Sequence, residues 1–155
     1  MHTGKSTTGF CTFIADLHGN KMLVDWGSKL QTGVASSTPD AELAAVQRST
    51  CRSSIPIQIL MEEIFGFECP ISHFEDNQPS ITSIKNGASQ NLRYMKKTQR
   101  ISIPFLHDIF EDGSNEIDFV ATEENIADLF TKFLSVGTHW KHLRALGLKF
   151  MHEVF

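Results

Sequence analysis

Met22-Leu23-Val24-Asp25-Trp26, a polar run over residues 27–37, and then Thr38-Pro39-Asp40-Ala41-Glu42-Leu43 decide how this chain begins to fold. The first segment alternates well enough for a strand. Thr38, Pro39 and Asp40 have the chemistry of a helix start: an acceptor for orphan N–H groups, a residue whose missing N–H costs nothing, and a negative charge at the positive end of the dipole. A strand, a polar connector over 27–37 and a helix therefore follow one another, and Glu42 falls in the first turns of that helix beside a sheet. Upstream, residues 10–15 include Phe10, Thr12, Phe13 and Ile14 and are rich in β-formers. His18, Gly19 and Asn20 supply turn residues between this segment and residues 22–26, so the chain opens with a hairpin.

The helix is expected over residues 39 to about 65 with an interruption at Pro56, because a proline in a helix interior costs ~3 kcal/mol or more. Ser53 and Ser54 are placed to cap a second segment, giving two helices or one sharp kink. Ile57, Leu60, Met61, Ile64 and Phe65 recur on one helical face, and Gly66 ends the run. Residues 71–75 read as a short strand delivering Asp76 at its end. Pro79 opens the next helix and Gly87 closes it. Residues 87–100 are polar, hold Arg93, Lys96, Lys97 and Arg100, and read as a solvated loop. A helix over 105–112 stops at Gly113, and residues 116–121 form a strand. Thr122 caps a helix carrying Asp128, with Glu123 and Glu124 at its positive end. A last helix covers 138–146. Strands alternate with helices behind a hairpin, a pattern of α/β architecture with a mixed sheet. Neither a repeat nor an interdomain linker is visible, so residues 1–155 read as one domain.

Composition sets bounds on function. With 155 residues, an apolar share of 41% and twelve Phe, the chain can bury a core. A net charge of −4 argues against a strongly basic nucleic-acid binder. It is compatible with a metal-dependent nuclease, whose clustered carboxylates are neutralised by cations. Cys11, Cys51 and Cys69 have no C-x-x-C spacing and read as reduced thiols. No apolar run approaches the ~20 residues that span a bilayer, and no secretory or transit pattern opens the chain. A soluble, intracellular protein, cytoplasmic or nuclear, is the expectation.

Three acidic residues on three differently built segments carry the functional reading: Glu42 at a helix start, Asp76 at a strand end and Asp128 in a later helix. Hydrolysis of a phosphodiester by two divalent ions needs anionic oxygen ligands that hold the metals ~3.5–4 Å apart, and such a set can be assembled from segments of this kind. The contexts are specific. Trp26-Gly27-Ser28-Lys29-Leu30-Gln31, then Val34-Ala35-Ser36-Ser37-Thr38, then Asp40-Ala41-Glu42-Leu43, resembles the stretch leading to the catalytic Glu in the ribonuclease H domain of copia-type retrotransposon polyproteins. Asp76-Asn77-Gln78 with Ser80-Ile81 resembles the strand-end Asp and its following helix. Glu123-Glu124-Asn125-Ile126-Ala127-Asp128 with Thr131-Lys132 resembles the last catalytic Asp. The matches are ordered and cover residues 5–148.

The resemblance implies a ribonuclease H-like mixed sheet flanked by helices, with Glu42, Asp76 and Asp128 as catalytic residues ligating two Mg²⁺ ions. The implied substrate is an RNA–DNA hybrid, cleaved in its RNA strand. The implied partner is the reverse transcriptase region of the parent polyprotein, with no membrane involved. Departures matter as well. In the family a first Asp, shared by both metals, lies on a central strand just before the segment matching Lys5-Ser6-Thr7-Thr8-Gly9-Phe10. This chain begins too late to hold that strand, so the domain is expected to be incomplete and the chain weak or inactive alone. The family's usual histidine position falls near Thr98; His107 does not match it and receives no catalytic role. His139 and His142 share a helix face but read as surface histidines, and Leu129, Phe130 and Phe133 read as core. Competing readings are a non-catalytic retrotransposon remnant or interaction module, and a metal-free α/β binding domain.

Overall fold

The computed structural model describes residues 4–88, 97, 100–111 and 113–149. The expected front hairpin is present. β1 (Thr7–Ala15) pairs antiparallel with β2 (Lys21–Leu30), with Phe10 opposite Gly27 and Cys11 opposite Trp26. Asp16 ties the turn, accepting from the backbone N–H of His18 at 2.9 Å and of Asn20 at 2.8 Å. Opposite Thr12 and Phe13 the register shifts, with Val24 as an extra residue on β2, and this irregularity bends the ladder midway along its length. β2 continues through Gly27–Leu30, which the composition assigned to a connector. The cross-strand ladder with residues 7–10 supplies the hydrogen bonds that override the polar composition.

The helix start lies one residue earlier than the sequence indicates. Ser37 is the N-cap, with its hydroxyl accepting from the Asp40 N–H at 3.3 Å, and α1 runs Thr38–Ser49. A π-helical turn, Thr50–Ser54, then joins α1 to α2 (Ile55–Phe65). Pro56 sits near the α2 start, as the expected break requires, but Ser53 and Ser54 provide no capping bond. The chain absorbs the proline by widening one turn rather than by stopping. Gly66 closes α2 at φ 71°, a left-handed conformation suited to glycine. The helical stripe of α2 is only partly covered: Ile57 and Met61 are half-buried, Leu60, Ile64 and Phe65 are exposed, and Phe65 stacks on Phe67 with ring centroids 5.5 Å apart.

β3 (Ser72–Glu75) pairs in parallel with β4 (Glu116–Phe119). Between them lie α3 (Gln78–Lys85) and α4 (Ile103–Phe110); α4 starts two residues before the expected point because Ser102 caps it. Residues 89–96, 98 and 99, including Arg93 and Lys96, lie outside the described residues. Downstream, the expected α-helix carrying Asp128 is replaced by two 3₁₀ turns, Thr122–Glu124 and Ile126–Phe130. Asn125 causes the break. Its backbone is extended and its side chain accepts from the Ala127 N–H at 3.1 Å, so it caps the second turn while Thr122 caps nothing. Phe133 is fully exposed rather than core. α5 (Val136–Ala145) closes the described chain, and its His142 is buried, unlike the expected surface histidine, because that face turns towards the 3₁₀ segment.

The antiparallel and the parallel pair are separate two-stranded sheets. The mixed α/β character is therefore present, and among the described residues each of the four strands, β1 and β3 included, has one edge without a strand partner. The apolar core joins Leu43 and Val46 of α1 to Ile81 and Ile84 of α3, Ile103, Leu106 and Phe110 of α4, and Ile117 of β4. Neither β1 nor β2 contributes to it. Among the described residues no helix is long and apolar enough to cross a membrane.

Candidate functional site

Packing of polar groups, more than of apolar ones, brings the acidic segments together. The buried Ser80 hydroxyl lies 3.2 Å from the Pro39 carbonyl in the first turn of α1 and 2.9 Å from Asn77 Oδ1. The start of α3 is thereby fixed against the start of α1, which puts Asp76 near Glu42. Asn77 also accepts from the Ser80 N–H at 3.0 Å, so the residue after Asp76 is held as an N-cap. On the other side, the 3₁₀ segment of Asp128 lies on β1. Gly9 makes this approach possible: a Cβ there would stand 2.6 Å from Thr131 Cγ2 and 2.8 Å from Phe130 Cβ. Ser28 of β2 donates to the Phe130 carbonyl at 2.6 Å and pins the same segment.

The electrostatics report the resulting proximity. Burial raises the Glu42 carboxyl above its ordinary range, and the negative charges of Asp76 and Asp128 raise it further, with Lys132 opposing. Glu75, which the sequence reading did not single out, belongs to the same cluster. Burial pushes it up to about 8, the charge of Glu42 adds to that, and the Asn77 N–H donating to its Oε1 at 3.0 Å works in the other direction. Period-2 alternation would have revealed it, since Ile71 and Glu75 are buried while Ser72 and Phe74 are exposed. Asp128 is buried and ion-paired with Lys132, Nζ to Oδ2 2.7 Å. Lys132 is thus the local counter-ion. It was visible in the sequence as the i+4 partner of Asp128.

All three predicted carboxylates act on one locus, through Glu42. Their chemistry fits a hard cation, because carboxylates that crowd a part-buried Glu42 favour neutralisation by an ion with oxygen ligands. Their spacing is looser than that of a ready-made metal centre. Among the described residues, no three His, Cys, Asp or Glu side chains are grouped closely enough to hold an ion. His107 is occupied elsewhere, with Nδ1 3.0 Å from the Ile84 carbonyl, where it links α4 to α3.

Comparison with known proteins adds one result. Over 131 residues, 83% of its length, the chain is 29% identical to a protein described as "Retrovirus-related Pol polyprotein from transposon TNT 1-94" of Nicotiana tabacum. The likeness is to a retrotransposon Pol polyprotein. The chain spans 9% of the length of that relative. This similarity supports a Pol-derived region. No family model and no solved structure matches the chain.

Proposed function

We propose that the chain is the ribonuclease H portion of a copia-type retrotransposon Pol polyprotein. Glu42, Asp76 and Asp128 would be the carboxylates of a two-Mg²⁺ site acting on the RNA strand of an RNA–DNA hybrid. The observation that carries this reading is the coupling of Glu42 to the charges of both Asp76 and Asp128. These residues follow one another in the order that the family resemblance requires. The similarity to a Pol polyprotein supports the same assignment. Bound Mg²⁺ would activate the attacking water and stabilise the leaving oxygen. The chain's own contribution is to hold carboxylate oxygens at the junction of α1, the β3 end and the 3₁₀ turn. Lys132 pairs with the Asp128 carboxylate there. The reverse transcriptase region of the parent polyprotein is the proposed partner.

The fourth carboxylate of the resemblance has no counterpart within residues 1–155. The free edges of β1 and β3 are where a strand carrying it would pair. Groups that act as a catalytic unit are not additive, so the chain is expected to cleave poorly by itself. Two measurements test the reading together: thermal unfolding against Mg²⁺ concentration, and cleavage of a labelled hybrid. Mg²⁺ should raise Tm, and Asp76→Asn should remove the increase. Adding a segment with a β-strand and an Asp should bring cleavage, whereas the same segment with Asn should stabilise the fold only. Failure of Mg²⁺ to stabilise either form would overturn the site.

A second reading, a non-catalytic remnant or interaction module, is favoured by the loose carboxylate spacing and by the exposed apolar stripe of α2. It predicts no cleavage even when the strand and its Asp are supplied.

A further inference from the structure

A cleft of about 260 Å³ opens between the β1–β2 sheet and the α1–π-helical junction. Lys29, Arg48, Arg52 and Arg100 line it, and no acidic residue does. Four cations around one small void stand out in a chain with net charge −4. None of the four makes an ion pair among the described residues. Like charges repel, so such a grouping has to be held in place by the fold.

The fold does hold it. Arg100 is the one residue other than glycine at positive φ (57°) among the described residues, a conformation that costs a side-chain-bearing residue energy. Gln47 clamps it there: Gln47 Nε2 donates to the Arg100 carbonyl at 2.9 Å, and Gln47 Oε1 accepts from the Ser102 N–H at 2.6 Å. Arg48 is the next residue on α1, and Arg52 lies one turn further, within the π-helical turn. Backbone strain and π-helical turns both concentrate where a fold positions side chains for a ligand.

We infer that this cleft is a phosphate-binding subsite, in which the guanidinium groups of Arg48, Arg52 and Arg100 take the oxygens of a phosphate ester. Guanidinium is suited to this because its planar fork matches phosphate oxygens two at a time. The cleft's volume suits a phosphate and its immediate ester group. The inference stands on the cleft alone and holds whether or not the carboxylate cluster cleaves anything.

The test is binding of two probes to the full chain at several salt concentrations: inorganic tripolyphosphate and a short single-stranded oligonucleotide. Binding of both, or of either one, is expected, and which one binds tells a small phosphate ligand from a nucleic-acid strand. Arg48→Gln should weaken it about tenfold, the size of losing a charge-assisted hydrogen bond. Arg100→Gly is the sharper variant, because glycine relieves the strain at φ 57° while removing the charge. It should leave Tm unchanged or higher and weaken binding by a similar factor. Lys85→Gln removes a charge outside the cleft and should leave binding unchanged. Absence of binding by both probes, or binding indifferent to Arg48→Gln and Arg100→Gly, would overturn the inference.

Discussion

At the residue scale, two ionisable side chains are placed where burial sets their behaviour. Burial holds the His73 imidazole, edge-on to Phe110 at 5.9 Å, down to about 4. An unfolded histidine titrates near 6.5, so between pH 6.5 and about 4 the unfolded chain binds a proton that the folded chain refuses. Stability should therefore fall as pH drops through that window, by on the order of 3 kcal/mol from this group. Urea unfolding at a series of pH values checks this: His73→Phe should remove that part of the pH dependence, and an unchanged slope would contradict the burial argument. The second case is the Asp128–Lys132 pair. Lys132 is about half exposed, which screens the interaction, so Lys132→Met should cost only about 1–2 kcal/mol despite the burial of Asp128. If the loss comes from an unpaired buried carboxylate, Asp128→Asn on the Lys132→Met background should recover part of it. A double variant no more stable than Lys132→Met would place the cost in lost packing instead.

At the scale of elements, the decisive contacts are close approaches and caps. A side chain at Gly9 would meet Phe130 and Thr131 well inside van der Waals distance. Gly9→Val should therefore push the 3₁₀ segment off β1 and cost about 1–3 kcal/mol, as overpacking does. It should also uncouple Asp128 from Glu42, which NMR titration of the Glu42 carboxyl would detect as a lowered pKa. An unaltered Glu42 titration would mean that the 3₁₀ segment is held by other contacts. Asn77 offers a milder test. Its side chain accepts from the Ser80 N–H and lies within reach of the Ser80 hydroxyl, so Asn77→Ala should cost about 1 kcal/mol in thermal unfolding.

For the whole molecule, the location of the core predicts uneven stability. All the residues of the buried apolar cluster come from α1, α3, α4, β4 and the segments leading into β3 and α4, and none from the hairpin. The hairpin is tied down by Thr12 to Ser53 at 2.7 Å, by Ser28 to Phe130 and by its own ladder. Cooperative protection tracks buried apolar contacts, so amides of β1 and β2 should exchange by local opening well before those of α1, α3 and α4. Hydrogen exchange resolved by residue would show this. Equal protection throughout would mean that the two halves unfold as one unit.

Much of this was legible from residue order. His18, Gly19 and Asn20 between two β-forming runs specify the hairpin locally, and Gly66, Pro79 and Gly87 mark helix ends through backbone chemistry that needs no tertiary partner. The three carboxylate segments were recognisable through their ordered resemblance to family motifs, although the segment of Asp128 was read as a helix. Tertiary structure decided what those signatures do not contain. β2 runs to Leu30 because β1 offers it hydrogen-bonding partners, and the Asp128 segment lies against β1 because Gly9 leaves room for Phe130 and Thr131. Amphipathic spacing in α2 could not say whether a partner surface exists, and in this fold Ile57 and Met61 are half-buried while Leu60, Ile64 and Phe65 stay exposed. Glu75 joined the site, and Lys29, Arg48, Arg52 and Arg100 came to share a cleft, only when segments far apart in the chain were packed together. Local sequence encodes the conformation of the backbone, but proximity between distant charges exists only once the chain has folded.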